Sequence, residues 1–458
     1  MPETPSSRSR RRPTRLRPVP PALRSSGEPF EGFHLLLDHP GEAGVVLWQV
    51  LRDLTLWAGT PENERRNLFS PKAPARQWPI LLHAEVSESV RPYLLIVTNL
   101  LFTDRSLDAS EIALACRKIS DWADEHSHPQ TAIAFAQAAA LAWPESAECA
   151  YKVGWLSRRH GEYARAESWF RRSIAISRRF RDMQSRVLSL IGLGNLSIHR
   201  GDYGTAELAL RRALHGATRS ALGGPKAMAL HDLFAVAVET NRTAEAEVLA
   251  QQAARAFGAT HPRLPILAHD IAAFWFSLGL FERAEIVFSS VLTVTSRSME
   301  RLQVLSSVAR AAGAAGNQDA FLGAWVEAWQ IIDRENQLDC VATSALKLAF
   351  GSASLGDWER AELAASYAEA RGLERGELEV VEQARTVRAA VQERHFQEKY
   401  ARSLAAADIG KDAEVLAGRL VRKLGVYAGA VQNRPRIPCY AISSATRANR
   451  EDPAERGS

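Results

Sequence analysis

Three short turns constrain this chain more than any other feature: Gly161-Glu162-Tyr163, Gly201-Asp202-Tyr203 and Gly356-Asp357-Trp358, each leading straight into a helical pattern. The first two lie 40 residues apart. A chain that repeats itself at such a period builds one supersecondary unit per repeat, and each unit must bury its apolar face against the next. Aligning the remaining sequence by that turn starts units at 113, 147, 187, 227, 265, 302 and 342, in steps of 34, 40, 40, 38, 37 and 40 residues. Seven helix pairs result. The 458 residues, 46% of them hydrophobic, are thus expected to form an extended array in place of two or three separate globular domains.

Within the units the residue types have a mechanical purpose. The second unit carries Val153-Gly154 with Ala166 and Phe170, the third Leu193-Gly194 with Ala206 and Leu210, and the fifth Ala284 with Phe288. A Gly or Ala lets two helices approach closely, and the bulky residue one turn later fills the gap beyond. Gly161, Gly201, Gly279, Gly316 and Gly356 supply the left-handed residue that ends the first helix of a pair. The fourth unit has Asn241 at its turn, and the sixth has Phe321 and Trp325 where Ala and Phe stand elsewhere.

This spacing resembles the tetratricopeptide repeat over roughly residues 113–371, with Leu-Gly in the first helix, Ala-x-x-x-Phe in the second, and a closing proline, Pro144, after Ala132 and Ala136. Five of the six steps exceed 34 residues, and Ser157 and Ser197 replace the aromatic residue at the end of the first helix. The stretch from Ser177 to Asn195 looks like the longer, roughly 40-residue variant of bacterial regulators and polarity adaptors. The resemblance implies an all-α fold, a right-handed superhelical solenoid of about seven tetratricopeptide-like helix pairs, with a helical N-terminal segment and C-terminal capping helices.

Around the array, residues 1–29 combine Arg, Ser and Pro and are expected to form a disordered basic arm. Residues 30–107 read as an irregular helical segment: Val46, Val50, Leu54 and Trp57 share one helical face over 42–58, and Thr60-Pro61 follows. Pro71, Pro74 and Pro79 predict a loop between Phe69 and Pro79, with helix resuming near Ile80 and breaking or kinking at Pro92. Asp108 with Glu111 reads as a helix N-cap. After 371, residues 376–430 are expected to supply capping helices, and 431–458 a disordered tail.

The formal charge of +5 comes from the arm, where Arg8, Arg10, Arg11, Arg12, Arg15, Arg17 and Arg24 face only Glu3. Cys116, Cys149, Cys340 and Cys439 are far apart, without a CxxC pair or a histidine at zinc-ligand spacing, so neither a disulfide framework nor a metal knuckle is expected. The charged N-terminus lacks an apolar stretch behind it, and the segment from Tyr93 to Phe102 is too short to span a bilayer. A cytoplasmic protein with no membrane partner is the expectation; an organellar leader is the alternative.

No phosphate-binding glycine loop, HExxH, GxSxG or kinase signature occurs, and Gly192-Leu193-Gly194 lacks the strand and third glycine of a nucleotide motif. No enzyme, catalytic residue, cofactor or metal site is therefore expected. His231-Asp232 and His269-Asp270 occupy matching places in successive first helices, where imidazole and carboxylate together can bind metal or move a proton. Hydrogen bonding that stiffens the surface is the simpler reading. The resemblance further implies an inner wall formed by the first helices, carrying Arg117, Lys118, Tyr151, Lys152, Trp155, Arg158, Arg159, Asn195 and His199 in the early units, tempered by Asp121, Asp124 and Glu125, and His231, Asp232, His269, Asp270 and Arg310 in the later ones. Cations beside aromatic rings suit a protein or peptide partner with acidic groups. An interaction scaffold or regulatory adaptor is the expected function; the alternative is a nucleic-acid-associated regulator that uses the Arg-rich arm, with the solenoid as sensor.

Overall fold

The computed structural model describes residues 33–102, 108–396 and 406–432. Those residues contain twenty α-helices and no β-strand. The expected basic arm, and the expected tail from residue 433 on, lie outside the described residues. Two compact units divide the chain, Met1–Gly216 and Ala217–Ser458.

The first unit opens with α1 (Phe33–Asp38) and α2 (Glu42–Gly59), whose Val46, Val50, Leu54 and Trp57 are all buried and whose end falls at Thr60. The loop expected from three prolines is instead largely helical, because α3 spans Ala73–His83. Pro74 stands in its first turn, where a missing N–H breaks no helical hydrogen bond, and Pro79 is carried inside the helix. Contacts far away in sequence fix this segment: Gln77 Nε2 donates to Asp53 Oδ2 on α2 at 2.8 Å, and Leu81 is buried. Pro92 stands in the first turn of the next helix, α4 (Arg91–Thr98), so the break expected there falls just before it, over residues 84–90. Asp108 caps α5 (Ala109–Glu125) by accepting from the Ser110 amide and hydroxyl, both at 2.8 Å. Three helix pairs complete the unit: α5 with α6 (Pro129–Ala142), α7 (Ala147–Arg159) with α8 (Tyr163–Phe180), and α9 (Met183–His199) with α10 (Tyr203–Arg219).

Four more pairs build the second unit: α11 (Gly223–Glu239) with α12 (Thr243–Ala256), α13 (Leu264–Ser277) with α14 (Phe281–Leu292), α15 (Ser298–Ala315) with α16 (Gln318–Arg334), and α17 (Val341–Leu355) with α18 (Trp358–Arg375). Next, α19 (Leu378–Glu393) packs on α17 and α18, while α20 (Ala406–Gln432) takes a different place from an end cap, lying against α12, α13 and α14. There Leu416, Leu420 and Leu424 are buried, and Lys423 Nζ donates to the carbonyls of Ala254 and Phe257 at 2.7 and 2.5 Å. A lysine at this point satisfies carbonyls that the end of α12 leaves without helical partners.

All seven pairs use one turn. Ser127, Gly161, Gly201, Asn241, Gly279, Gly316 and Gly356 have φ between 56° and 80°, and the next amide reaches back five residues, as from Glu162 to Ser157 O at 2.8 Å and from Asp357 to Ser352 O at 3.0 Å. A Cβ added at Gly201 would meet nothing within 4 Å, so only backbone strain opposes a side chain there. Gly201→Ala is expected to cost about 1–2 kcal/mol in denaturant-induced unfolding, and a neutral result would mean the turn relaxes away from the left-handed region.

Between pairs, side chains fill the space that glycines leave. Phe170 is fully buried between Gly154 and Gly192, where an added Cβ would fall 2.8 and 2.4 Å from its ring, and Leu210 fits against Gly194 in the same way at 2.7 Å. Gly192-Leu193-Gly194 thus serves helix packing. No helix among the described residues is long and apolar enough to cross a membrane.

Candidate functional site

The first helices of successive pairs carry the residues singled out in the sequence. In the first unit, Arg117 and Lys118 lie on α5, Tyr151, Lys152, Trp155, Arg158 and Arg159 on α7, and Asn195 and His199 on α9. Three of these cations bridge back from one first helix to the other: Arg117 Nη2 pairs with Glu148 Oε1 at 2.9 Å, Lys152 Nζ with Asp121 Oδ1 at 2.7 Å, and Arg159 Nη1 with Asp124 Oδ2 at 2.7 Å. Only 4% of the Asp124 side chain is exposed, and His160 Nε2 stands 3.5 Å from its other oxygen. Burial alone would raise its pKa, yet His160 and Arg159 hold this carboxyl below the usual carboxylate range. These residues of the first unit are consequently not the basic surface their composition suggests, since acidic residues from the same helices pair with Arg117, Lys152 and Arg159.

Aromatic groups organise the same surface. Lys152 Nζ and the Arg159 guanidinium lie 4.6 and 4.7 Å from the centre of the Trp155 ring, within cation–π range. Trp155 in turn packs on the cluster of Ala166, Phe170 and Leu196, and the Tyr151 ring is 6.0 Å from that of Phe170. His199 is exposed and stacks on Tyr163 at 5.4 Å, while Asn195, Lys118 and Arg158 are half-buried. Both ion-paired cations thus lie against the Trp155 ring.

In the second unit the histidine–aspartate pairs meet as the stacking of first helices requires. His231 Nε2, on α11, is 2.8 Å from Asp270 Oδ2 on α13, and His269 Nδ1 stands 3.5 Å from Asp270 Oδ1. His269 Nε2 is 3.2 Å from Ser307 Oγ on α15, and Lys347 Nζ on α17 donates to the same hydroxyl at 3.0 Å. Side chains of four successive first helices therefore form one polar chain. Burial works against the charge of Asp270, but His231 and His269 hold its carboxyl well below the usual range. His231 and Asp232 are buried, and His231 Nδ1 and Asp232 Oδ2 have no hydrogen-bond partner among the described residues. Arg310 lies over two rings, 5.0 Å from the centre of Phe276 and 4.5 Å from that of Phe350.

Ser307 and Lys347 were not among the sequence candidates, because neither belongs to a recognisable dipeptide and their meeting depends on the register of α15 against α17. Burial and then the neighbouring Arg310 push the Lys347 ammonium down to about 8.

No family model matches this chain, and no curated protein does. A signal-transduction ATPase with numerous domains and a tetratricopeptide repeat sensor, from Pyrococcus horikoshii, matches it over 93% of its length and 66% of that protein, at 12% identity and a TM-score of 0.50. The fold is tetratricopeptide-like. Such a fold makes the first-helix surface a product of every pair in turn, which is why residues 38 to 40 positions apart, such as His269 and Ser307 or Ser307 and Lys347, come into contact. Looser likenesses are to BtubC from P. vanneervenii, at 15% identity over 51% of this chain and 94% of that one with a TM-score of 0.38, and to a Rap protein complexed with competence and sporulation factor, at 12% identity over 81% and 99% with a TM-score of 0.34.

Proposed function

We propose that this chain is a non-enzymatic interaction scaffold or regulatory adaptor that holds a segment of a partner protein on its first-helix surface, with an acidic group of that segment received at Lys347. The observation that carries the reading is the setting of Lys347: a half-buried lysine, with Arg310 beside it, whose hydrogen-bond partner among the described residues is the neutral Ser307 hydroxyl. A partly buried cation without a carboxylate is costly, and an incoming carboxylate makes a charge-assisted hydrogen bond there. Trp155, within cation–π range of Lys152 and Arg159, has the size and amphipathic character of an interface anchor in the first unit.

The test starts from affinity capture in the native host, followed by affinity measurements with the captured partner's segment. Lys347→Met is expected to weaken binding by about 1.5–3 kcal/mol, and Trp155→Ala by about 2 kcal/mol or more. The sign of the pH dependence is fixed as well. Lys347 is charged below about pH 8, so affinity for an acidic segment falls as pH rises through that value, and Lys347→Met removes the fall. A partner that binds both variants as tightly as the parent sinks this reading.

A second reading rests on the seven arginines against one glutamate in the first 24 residues, which favour a nucleic-acid contact outside the array. Salt-dependent DNA binding that vanishes on deleting residues 1–29 would support it.

A further inference from the structure

We infer that Asp38, His39 and His128 form a binding site for one zinc-class transition-metal ion, which ties the N-terminal helices to the first helix pair. Asp38 ends α1 and His39 follows it in the turn to α2, whereas His128 lies in the turn between α5 and α6. Far apart in sequence, the three residues each offer a ligand atom, and these atoms all lie within 4.8 Å of one another. The two imidazole rings are 4.1 Å apart between centres.

Three observations point to a ligand and not to a chance grouping. His39 is only 8% exposed, and its Nε2 is buried without a hydrogen-bond partner among the described residues. Buried polar atoms are nearly always satisfied, and an imidazole grouped with a second imidazole and a carboxylate has a cation as a natural shared partner. Asp38 is already held in place, because its Oδ2 accepts from the Thr131 hydroxyl at 2.7 Å and the Thr131 amide at 3.3 Å. Orientation of a ligating carboxylate by such outer hydrogen bonds is a regular part of metal sites. Finally, the Trp122 ring stacks on His39 at 5.4 Å and covers that side of the cluster.

The donor set decides the class of ion. Two nitrogens and one carboxylate oxygen suit zinc and its borderline neighbours, while calcium and magnesium require oxygen ligands throughout. Three protein ligands would leave the fourth position of a tetrahedral zinc to solvent. The site differs from the histidine–aspartate pairs of the second unit, where His231 Nε2 and both His269 nitrogens already have polar neighbours within 3.5 Å and the imidazoles come from successive first helices.

The full chain, stripped with chelator and dialysed, should bind one equivalent of Zn²⁺ by titration calorimetry. It should also give the intense visible bands of tetrahedral cobalt with Co²⁺, and melt at a higher temperature with zinc than without. Mg²⁺ should do none of this. His39→Gln and His128→Gln should each lower Zn²⁺ affinity at least tenfold and abolish the cobalt bands, whereas His231→Gln should leave both intact. Because His39 is buried, the half-buried His128 variant is decisive: circular dichroism should match the parent, and its metal-free melting temperature should stay unchanged by added zinc. Absence of stoichiometric zinc binding by the folded parent overturns the assignment, as does binding that survives His128→Gln.

Discussion

Replacing Phe170 by alanine should destabilise the first unit by about 3–5 kcal/mol, the cost of removing a large, fully buried ring from a site that cannot collapse. The ring is completely inaccessible and fills the hollow between Gly154 on its own pair's first helix and Gly192 on the next pair's. Both glycines lie so close to it that neither side could carry a Cβ, so truncation leaves a cavity with rigid backbone walls. Tyr151 and Trp155 also pack on this cluster, and the loss should reach the candidate binding surface as a change in Trp155 fluorescence. Urea unfolding of the parent and variant measures the difference. The companion change Gly192→Ala should cost about 1–3 kcal/mol by overpacking, and combining it with Phe170→Leu should cost less than the two alone, since the smaller side chain makes room. A loss below about 1 kcal/mol for Phe170→Ala would mean that this interlock does not hold neighbouring pairs together.

Gly313→Ala should be nearly as damaging, at about 3 kcal/mol or more, the upper end of what overpacking costs. Here α15 and α17 meet backbone to backbone: a Cβ at Gly313 would fall 2.3 Å from Gly351 O and 2.7 Å from Gly351 Cα, and one at Gly351 would fall 2.6 Å from Ala309 O. No side chain can rotate away to relieve such a contact, so the helices themselves must separate. Separation would also pull Lys347 from Ser307, which bridge the same two helices. A melting temperature lower by roughly 6–12 °C is expected for a unit of this size. Gly323, inside α16, provides the control, because nothing lies within 4 Å of a Cβ added there. Gly323→Ala should be neutral or stabilising by up to about 1 kcal/mol. Equal melting temperatures for the two variants would refute the close-contact argument.

The sequence by itself determined what depends on neighbours a few residues away. Six of the seven turns were readable because a left-handed residue after a helix is a local requirement, met by glycine five times and by Asn241, whereas Ser127, which adopts the same φ, gives no such signal. The helix of Val46, Val50, Leu54 and Trp57 was readable from its period alone. Proline misled the reading between Phe69 and Pro79, since its effect on a helix depends on position and on outside contacts such as that of Gln77 with Asp53. The candidate binding residues could be assigned to first helices from the repeat, but not their electrostatics. Whether Arg117, Lys152 and Arg159 offer charge to a partner depends on Glu148, Asp121 and Asp124, which only the register between α5 and α7 brings within 3 Å. The same holds for Lys347 on Ser307, for α20 against α12 and α14, and for Asp38, His39 and His128. Charge pairing and ligand geometry fall off over a few ångströms, a scale that sequence separation does not measure, so these features belong to the tertiary structure alone.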